Sequence, residues 1–243
     1  MSLSVDRFGD DGKCVMATLN RPDKRNAVDM AMLRSLQELC AEVDGCRVLM
    51  VHGAEPAFCS GADLEGVELG EFTDTLAAVL ESLSNLPCLT LAAIDGPALG
   101  AGLQLASACD LRMASAESAI GVPAVKLGLA VDSWTVRRLC RELGWSTARR
   151  LLLTGESVRA DALLGGFVHR LAPAGRVHDE ARLWAEELAT LAPLSIQAHK
   201  VALDDSAHPE HVERLRLAAW ASEDAVEGRQ AFRQRRSPRF TGR

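Results

Sequence analysis

Two short runs of small residues carry the chemistry legible in this chain. The first is Phe58-Cys59-Ser60-Gly61-Ala62-Asp63-Leu64, which follows a strand and a short loop. The second is Gly96-Pro97-Ala98-Leu99-Gly100-Ala101-Gly102-Leu103-Gln104. Glycine and alanine let a backbone come close to a ligand, and a helix N-terminus aims unpaired N–H groups at a negative oxygen. Two such amides converging on one point form an oxyanion hole, which stabilises an enolate built from a thioester carbonyl. Either run taken alone reads as a tight turn. The second is not a dinucleotide loop, because Leu105 stands where the third glycine of G-x-G-x-x-G belongs. Gly144-Trp145-Ser146-Thr147-Ala148 likewise lacks the final glycine of a nucleophile elbow.

Other reactive side chains give weaker signals. Seven cysteines, at 14, 40, 46, 59, 88, 109 and 140, are odd in number and scattered through apolar stretches. They show neither C-x-x-C pairing nor metal-type spacing with histidine, so reduced thiols are expected and no metal site. Cys59 has no adjacent base and reads as a buried thiol. None of the six histidines has catalytic or ligand spacing, and His208 and His211 fall at an exposed-looking helix start.

The elements that must position the two runs follow from periodicity. Leu3–Phe8 and Lys13–Leu19 read as strands around an Asp-Asp-Gly turn, and Asp29–Val43 as a helix with Asp29 able to cap it. Arg47–Gly53 is a continuous apolar strand of the kind buried on both faces. A second amphipathic helix, Phe72–Leu86, leads through Pro87 into the strand Cys88–Ile94. The glycine run then opens a small-residue helix to about Cys109, and Leu111–Ala114 is strand again. Strand–helix alternation fills roughly the first 170 residues, a layered α/β pattern. From Val177 only helices are expected: Val177–Leu191, Ile196–Leu203 and Glu210–Gln230.

Bulk properties bound the function. With 48% apolar and 25% charged residues, 243 positions suffice for one α/β core with a terminal extension. A net charge of −6 argues against nucleic acid or an anionic membrane as partner; the arginine-rich stretch Arg229 to Arg243 is a local exception, read as solvated surface or subunit contact. Asp6, Arg7, Asp10 and Asp11 stand where a signal peptide would need an apolar core, and no stretch approaches the roughly 18 apolar residues of a membrane span. A cytoplasmic protein is the expectation.

Taken together with Asn20-Arg21-Pro22-Asp23-Lys24-Arg25-Asn26-Ala27, the runs Phe58–Leu64 and Ile94–Arg112 resemble the enoyl-CoA hydratase/isomerase (crotonase) superfamily in order and spacing. The resemblance extends to the Arg-Ser-Pro-Arg-Phe tail. It implies an α/β, ClpP/crotonase-like spiral of ββα units with a C-terminal helical trimerisation region: an acyl-CoA-binding core over 1–190 and a helical oligomerisation region over 191–243. It implies a coenzyme A thioester as ligand, no separate cofactor, and a homo-oligomer, either a trimer or a dimer of trimers. Ala62 and Ala101 match the family's oxyanion-hole amides, with Gly61 and Gly100 beside them. Lys24, Arg25 and Ala27 match the loop along the nucleotide part of CoA, and Ser60, Asp63 and Leu64 the neighbouring turn. Two cations near a nucleotide phosphate have a direct Coulombic use.

The family's pattern breaks where its hydratases place two glutamates. Gln104 occupies one position and Ala124, after Pro123, the other. A carboxamide orients water but does not exchange a proton near neutral pH, and alanine does neither. Losing two general acid/base groups, each worth about 10²–10⁴-fold, should leave almost no hydration. Asp132 matches a position where isomerases of the superfamily place an aspartate. It suits two roles, base at the acyl chain and cap of a helix Ser133–Arg141. Trp134 is either core or an apolar wall at the acyl end. The chain also resembles an actinobacterial, mycobacterial-type EchA subgroup that lacks both glutamates and is tied to long-chain lipid (mycolate-type) metabolism. That resemblance implies fatty-acid-synthesis proteins as partners. A non-catalytic acyl-CoA binder ranks first, an isomerase using Asp132 second, a weak hydratase with Gln104-held water third, and a purely structural module last.

Overall fold

The computed structural model describes residues 1–9, 11–66, 68–204 and 206–243. Strands β1 (Leu3–Phe8) and β2 (Cys14–Leu19) form an antiparallel hairpin in the register Leu3↔Leu19 to Phe8↔Cys14. Asp10 of the expected Asp-Asp-Gly turn lies outside the described residues. Helix α1 (Met30–Glu42) crosses back, so that β3 (Val48–Gly53) joins β2 in parallel. Asp29 caps α1 as expected, accepting the Met32 N–H at 2.7 Å. Helix α2 (Leu69–Ser84) begins three residues before the expected start, because the Glu68 carboxylate takes the Gly70 and Glu71 amides. Strand β4 (Leu89–Ile94) then lies parallel to β3.

Strands β3 and β4 show why their sequences are mostly apolar rather than alternating. Leu49 and Val51 on β3, with Ala92 and Ile94 on β4, face the main core beneath α1 and α2. Val48, Met50, Leu91 and Ala93 face a second apolar layer closed by α6 (Val177–Ala189), where Ala181, Trp184 and Ala185 pack. Both pleat faces are dry, so both residue sets must be apolar. Each fully buried Leu, Val or Met contributes about 1.5–3 kcal/mol.

Beyond β4 come β5 (Ala98–Leu99), α3 (Ala101–Ala108), β6 (Leu111–Ser115), β7 (Ala119–Gly121), α4 (Ser133–Leu143), α5 (Trp145–Thr154), β8 (Ser157–Arg159) and β9 (Arg170–Ala172). The main sheet runs β1-β2-β3-β4-β6-β9, and β5-β7-β8 form a small second sheet. The second sheet and α5 were not anticipated, because strands of two or three residues carry no periodicity to read. Arg112 on β6 is only 1% exposed. It donates to the Phe167, Ala106 and Cys109 carbonyls and pairs with Glu142 at 2.6 Å, so a cation sits on the orphan carbonyls that end α3.

The chain ends in α7 (Pro193–Ala202), α8 (Pro209–Ala221) and α9 (Glu223–Gln234). The single helix expected over Glu210–Gln230 is two helices. Ser222 breaks it with extended backbone (φ −71°, ψ 156°), and its hydroxyl caps α9 by accepting the Ala225 N–H. Asp224, buried, takes the Thr241 and Gly242 amides and pins the tail. Large apolar side chains remain outside on these helices, with Trp220 69% and Phe232 85% exposed. No helix among the described residues is long and apolar enough to cross a membrane.

Candidate functional site

The loop between β2 and α1 is organised by two residues to which the sequence had assigned no separate role. Arg21, half-buried, forks across three partners: Nη1 donates to the Ala27 carbonyl at 2.7 Å, Nη2 to Asp63 at 2.8 Å, and Nε faces Asp29 at 3.2 Å. Asn26 is wholly buried in a left-handed conformation (φ 57°). Its Oδ1 accepts the Arg21 N–H, while its Nδ2 donates to the Ala54 and Ala57 carbonyls, each at 2.6 Å. These bonds leave Lys24 and Arg25 on the surface and Ala27 buried. Lys24 meets Glu65 at 3.5 Å in the open, an interaction of small energetic weight.

Backbone bonds dock the Phe58–Leu64 run between this loop and the glycine turn. Ser60 N–H donates to the Arg25 carbonyl, Val28 N–H to Gly61, and Asp63 N–H to Val28. On the other side Cys59 N–H donates to Pro97 and Leu99 N–H to Cys59. Ser60 Oγ donates to the Lys24 carbonyl at 3.2 Å. The hydrogen bond from Arg21 holds the Asp63 carboxyl below its usual range, so that side chain serves the loop's own shape. Leu64 packs against the main core. Cys59 is buried, and desolvation pushes its thiol up to about 11, which makes it inert near neutral pH.

Gly102 permits the closest approach between the two runs, and Gly100 meets Gly61 at ordinary contact distance. A methyl group at Gly102 would stand 2.4 Å from the Cys59 carbonyl oxygen, and one at Gly100 would stand 3.7 Å from the Gly61 Cα. Gly100 also has φ +51°, where a side chain is strained. The Gly61 and Gly100 backbones therefore face each other, and the next residues are Ala62 and Ala101. Among the described residues neither the Ala62 nor the Ala101 N–H has a protein acceptor. Ala101 is the first residue of α3, where orphan amides are inherent.

Gln104 lies one turn further along α3, 6% exposed. Its Nε2 donates to Thr135 Oγ1 at 2.7 Å; Oγ1 in turn donates to Asp132 Oδ2 at 2.7 Å, and Thr135 N–H donates to Asp132 Oδ1 at 2.9 Å. Asp132 is the N-cap of α4. Thr135 is the link the sequence reading passed over, although its place three residues after a capping aspartate was visible. Ala124 sits in a short 3₁₀ turn, Pro123–Leu127, half-buried against the core, as is Trp134 of α4. No cluster of His, Cys, Asp or Glu among the described residues is arranged to hold a metal ion. A separate cleft of about 380 Å³ lies between β9 and α6, lined by Met113, Arg170, Trp184 and Glu187, on the other layer of the sheet.

A mixed sheet flanked by helices, with two small-residue loops meeting at the start of α3, is the crotonase fold. The chain matches the family described as enoyl-CoA hydratase/isomerase over residues 11–243. "Probable enoyl-CoA hydratase echA6" of Mycobacterium tuberculosis is 38% identical over 233 residues, covering 92% of this chain and 94% of that protein. The Mycobacterium leprae protein of the same name is 37% identical over 237 residues, with the same coverage. Among solved structures, enoyl-CoA hydratase from Bacillus anthracis superposes with a TM-score of 0.88 at 28% identity over 100% of both chains. An enoyl-CoA hydratase/carnithine racemase from Magnetospirillum magneticum gives 0.90 at 28% identity, covering 100% of this chain and 96% of that one. The chain belongs to the enoyl-CoA hydratase/isomerase family, and its relatives include the mycobacterial EchA type.

Proposed function

We propose that this chain binds acyl-CoA thioesters between the Phe58–Leu64 loop and the start of α3, and does not hydrate them. The observation that carries the reading is a pair of acceptor-less amides, Ala62 and Ala101, on abutting backbones beside a residue that moves no proton. Two converging N–H donors suit a thioester oxygen. Gln104 is tied to Thr135, and Ala124 offers only a methyl group, so neither holds or delivers a proton at the acyl chain. Lys24 and Arg25, exposed on the adjoining loop, supply cations for a nucleotide phosphate. Trp134 stands as an apolar wall on α4. The ligand is the thioester itself, with no separate cofactor.

Titration calorimetry with acyl-CoAs of increasing chain length tests the first half, and heat of binding at some length is expected. No binding at any length rejects it. The absorbance assay with crotonyl-CoA tests the second half, where rapid turnover is the rejecting result. The mycobacterial relatives are named probable enoyl-CoA hydratases, but fold does not dictate chemistry.

Isomerisation with Asp132 as base is the second reading. Both Asp132 oxygens are taken by Thr135, which favours the cap over the base. Solvent deuterium exchange at the acyl α and γ carbons, lost in Asp132→Asn, would reverse that preference. For assembly, the exposed apolar side chains of α8 and α9 support residues 191–243 as the oligomerisation region of a trimer or dimer of trimers. A cytoplasmic setting with fatty-acid-synthesis proteins as partners completes the proposal.

A further inference from the structure

Three of the seven cysteines gather at one end of the main sheet. Cys46 and Cys88 lead into β3 and β4, and Cys40 lies in the last turn of α1. The Leu89 N–H donates to the Arg47 carbonyl at 3.1 Å, and the Val48↔Leu89 pair opens the parallel ladder. One step further back Arg47 stands beside Cys88, so Cys46 is one residue away along the neighbouring chain. Adjacent strands lie about 4.8 Å apart and rise about 3.3 Å per residue, which sets the two Cα atoms about 6 Å apart. A disulfide spans roughly 4.4–6.8 Å between Cα atoms. Both side chains pack on the main core, together with Cys40. Cys88 is buried and Cys46 half-buried, so solvent meets the pair at Cys46.

The surroundings divide the labour between the two thiols. They hydrogen-bond each other, with Cys46 holding the proton. That contact lowers Cys88 from its ordinary range; burial opposes it, and the Lys200 ammonium adds to it. Lys200 Nζ donates to the Cys88 carbonyl at 2.6 Å and meets Asp110 at 2.7 Å. The same contact and burial both raise Cys46. Burial pushes Cys14, Cys40 and Cys59 up to about 11 and Cys109 up to about 12. The thiolate is the reactive form, so Cys88 is set apart from these four. The pair also sits among the anchors of the C-terminal helices. Arg47, next to Cys46, donates to the Ala189, Leu191 and Phe240 carbonyls at 3.2, 3.3 and 2.6 Å, and Lys200 belongs to α7.

We propose that Cys46 and Cys88 are a redox-sensitive pair, which hydrogen peroxide closes to a disulfide that staples the bases of β3 and β4 beneath the anchors of the C-terminal helices. The Cys88 thiolate attacks one peroxide oxygen; a sulfur–oxygen bond forms, the oxygen–oxygen bond breaks, and hydroxide leaves with the proton that Cys88 has shed, as water. The Cys46 sulfur then attacks the Cys88 sulfenic acid. A sulfur–sulfur bond forms, the sulfur–oxygen bond breaks, and the departing hydroxide takes the Cys46 proton as a second water. Two thiols are oxidised by two electrons and one peroxide is reduced to two waters. A dithiol reductant reverses the bond by exchange.

Peroxide treatment of the full chain at neutral pH tests this, followed by alkylation in denaturant and mass spectrometry of a non-reduced digest. A peptide pair joined through Cys46 and Cys88 is expected, with the other five cysteines alkylated and all seven alkylated again after dithiothreitol. In Cys46→Ser the cross-link is lost and a dimedone adduct appears at Cys88, because no second thiol resolves the sulfenic acid. Amide hydrogen exchange in α7 should slow at least about threefold on oxidation. Seven alkylated cysteines after peroxide, or a disulfide joining any other two, overturn the pair. Unchanged exchange in α7 overturns the stapling and leaves the pair standing.

Discussion

Replacing Gly102 by alanine sets two effects of opposite sign against each other. Alanine is the better helix former by about 1 kcal/mol, so propensity alone makes Gly102→Ala stabilising. Packing reverses that. The added methyl would lie 2.4 Å from the Cys59 carbonyl oxygen and 2.8 Å from the Cys59 Cβ. Both are well inside van der Waals contact, so α3 must retreat from the Cys59 backbone by more than about half an ångström. The obstacle is loop backbone bonded to Pro97 and Leu99, which cannot rotate aside as a side chain would. Overpacking of this kind costs about 1–3 kcal/mol, leaving a net loss of up to about 2 kcal/mol. For a chain of this length that lowers Tm by up to roughly 8 °C. The retreat also separates the Ala101 amide from Ala62, so acyl-CoA affinity should fall further than stability. Scanning calorimetry and ligand titration measure the two, with Gly166→Ala as control, since a methyl there meets only the Leu163 oxygen at an ordinary 3.7 Å. If Gly102→Ala melts at or above the parent temperature and binds acyl-CoA normally, the close approach of the two loops is refuted.

Four further outcomes follow from the same contacts. Arg112→Met strands three carbonyls and leaves the Glu142 carboxylate with Arg138 as its remaining partner, and should cost about 3–5 kcal/mol in urea unfolding. Arg21→Lys keeps the charge but loses the three-way fork; a loss of about 1–3 kcal/mol is expected, with weaker acyl-CoA binding in the same calorimeter. Burial, and then the neighbouring His178 ring, lower His52 to about 4 from 6.5. Between those values the unfolded chain takes up a proton that the folded chain refuses. The contribution of His52 is thus complete above about pH 6.5 and declines as pH falls towards 4, by at most about 3 kcal/mol. Unfolding curves at pH 7.5 and 4.5 for the parent and His52→Gln isolate it. Finally, Gln104→Glu with Ala124→Glu introduces two titratable groups, and should raise crotonyl-CoA hydration at least about 10²-fold above the parent, with either change alone achieving far less.

The local features of this protein were written in its sequence, because they depend on residues a few positions apart. Asp29 and Asp132 each cap the helix that follows within three residues, and the apolar run of β3 announced a strand buried on both faces. Family resemblance extended that to the fold, through the order and spacing of three loops. Other features depended on partners distant in the chain. Arg21 meets Asp63 42 residues away, and Gln104 meets Thr135 31 residues away. Resemblance set Gln104 where a family glutamate is expected, but only packing revealed which way its carboxamide turns. The break at Ser222 also needed the tertiary structure, since the apolar pattern runs on through it while Asp224 is held by the distant Thr241 and Gly242. Periodicity reports the face a residue presents; hydrogen-bond direction and backbone approach are set by whatever the fold places opposite.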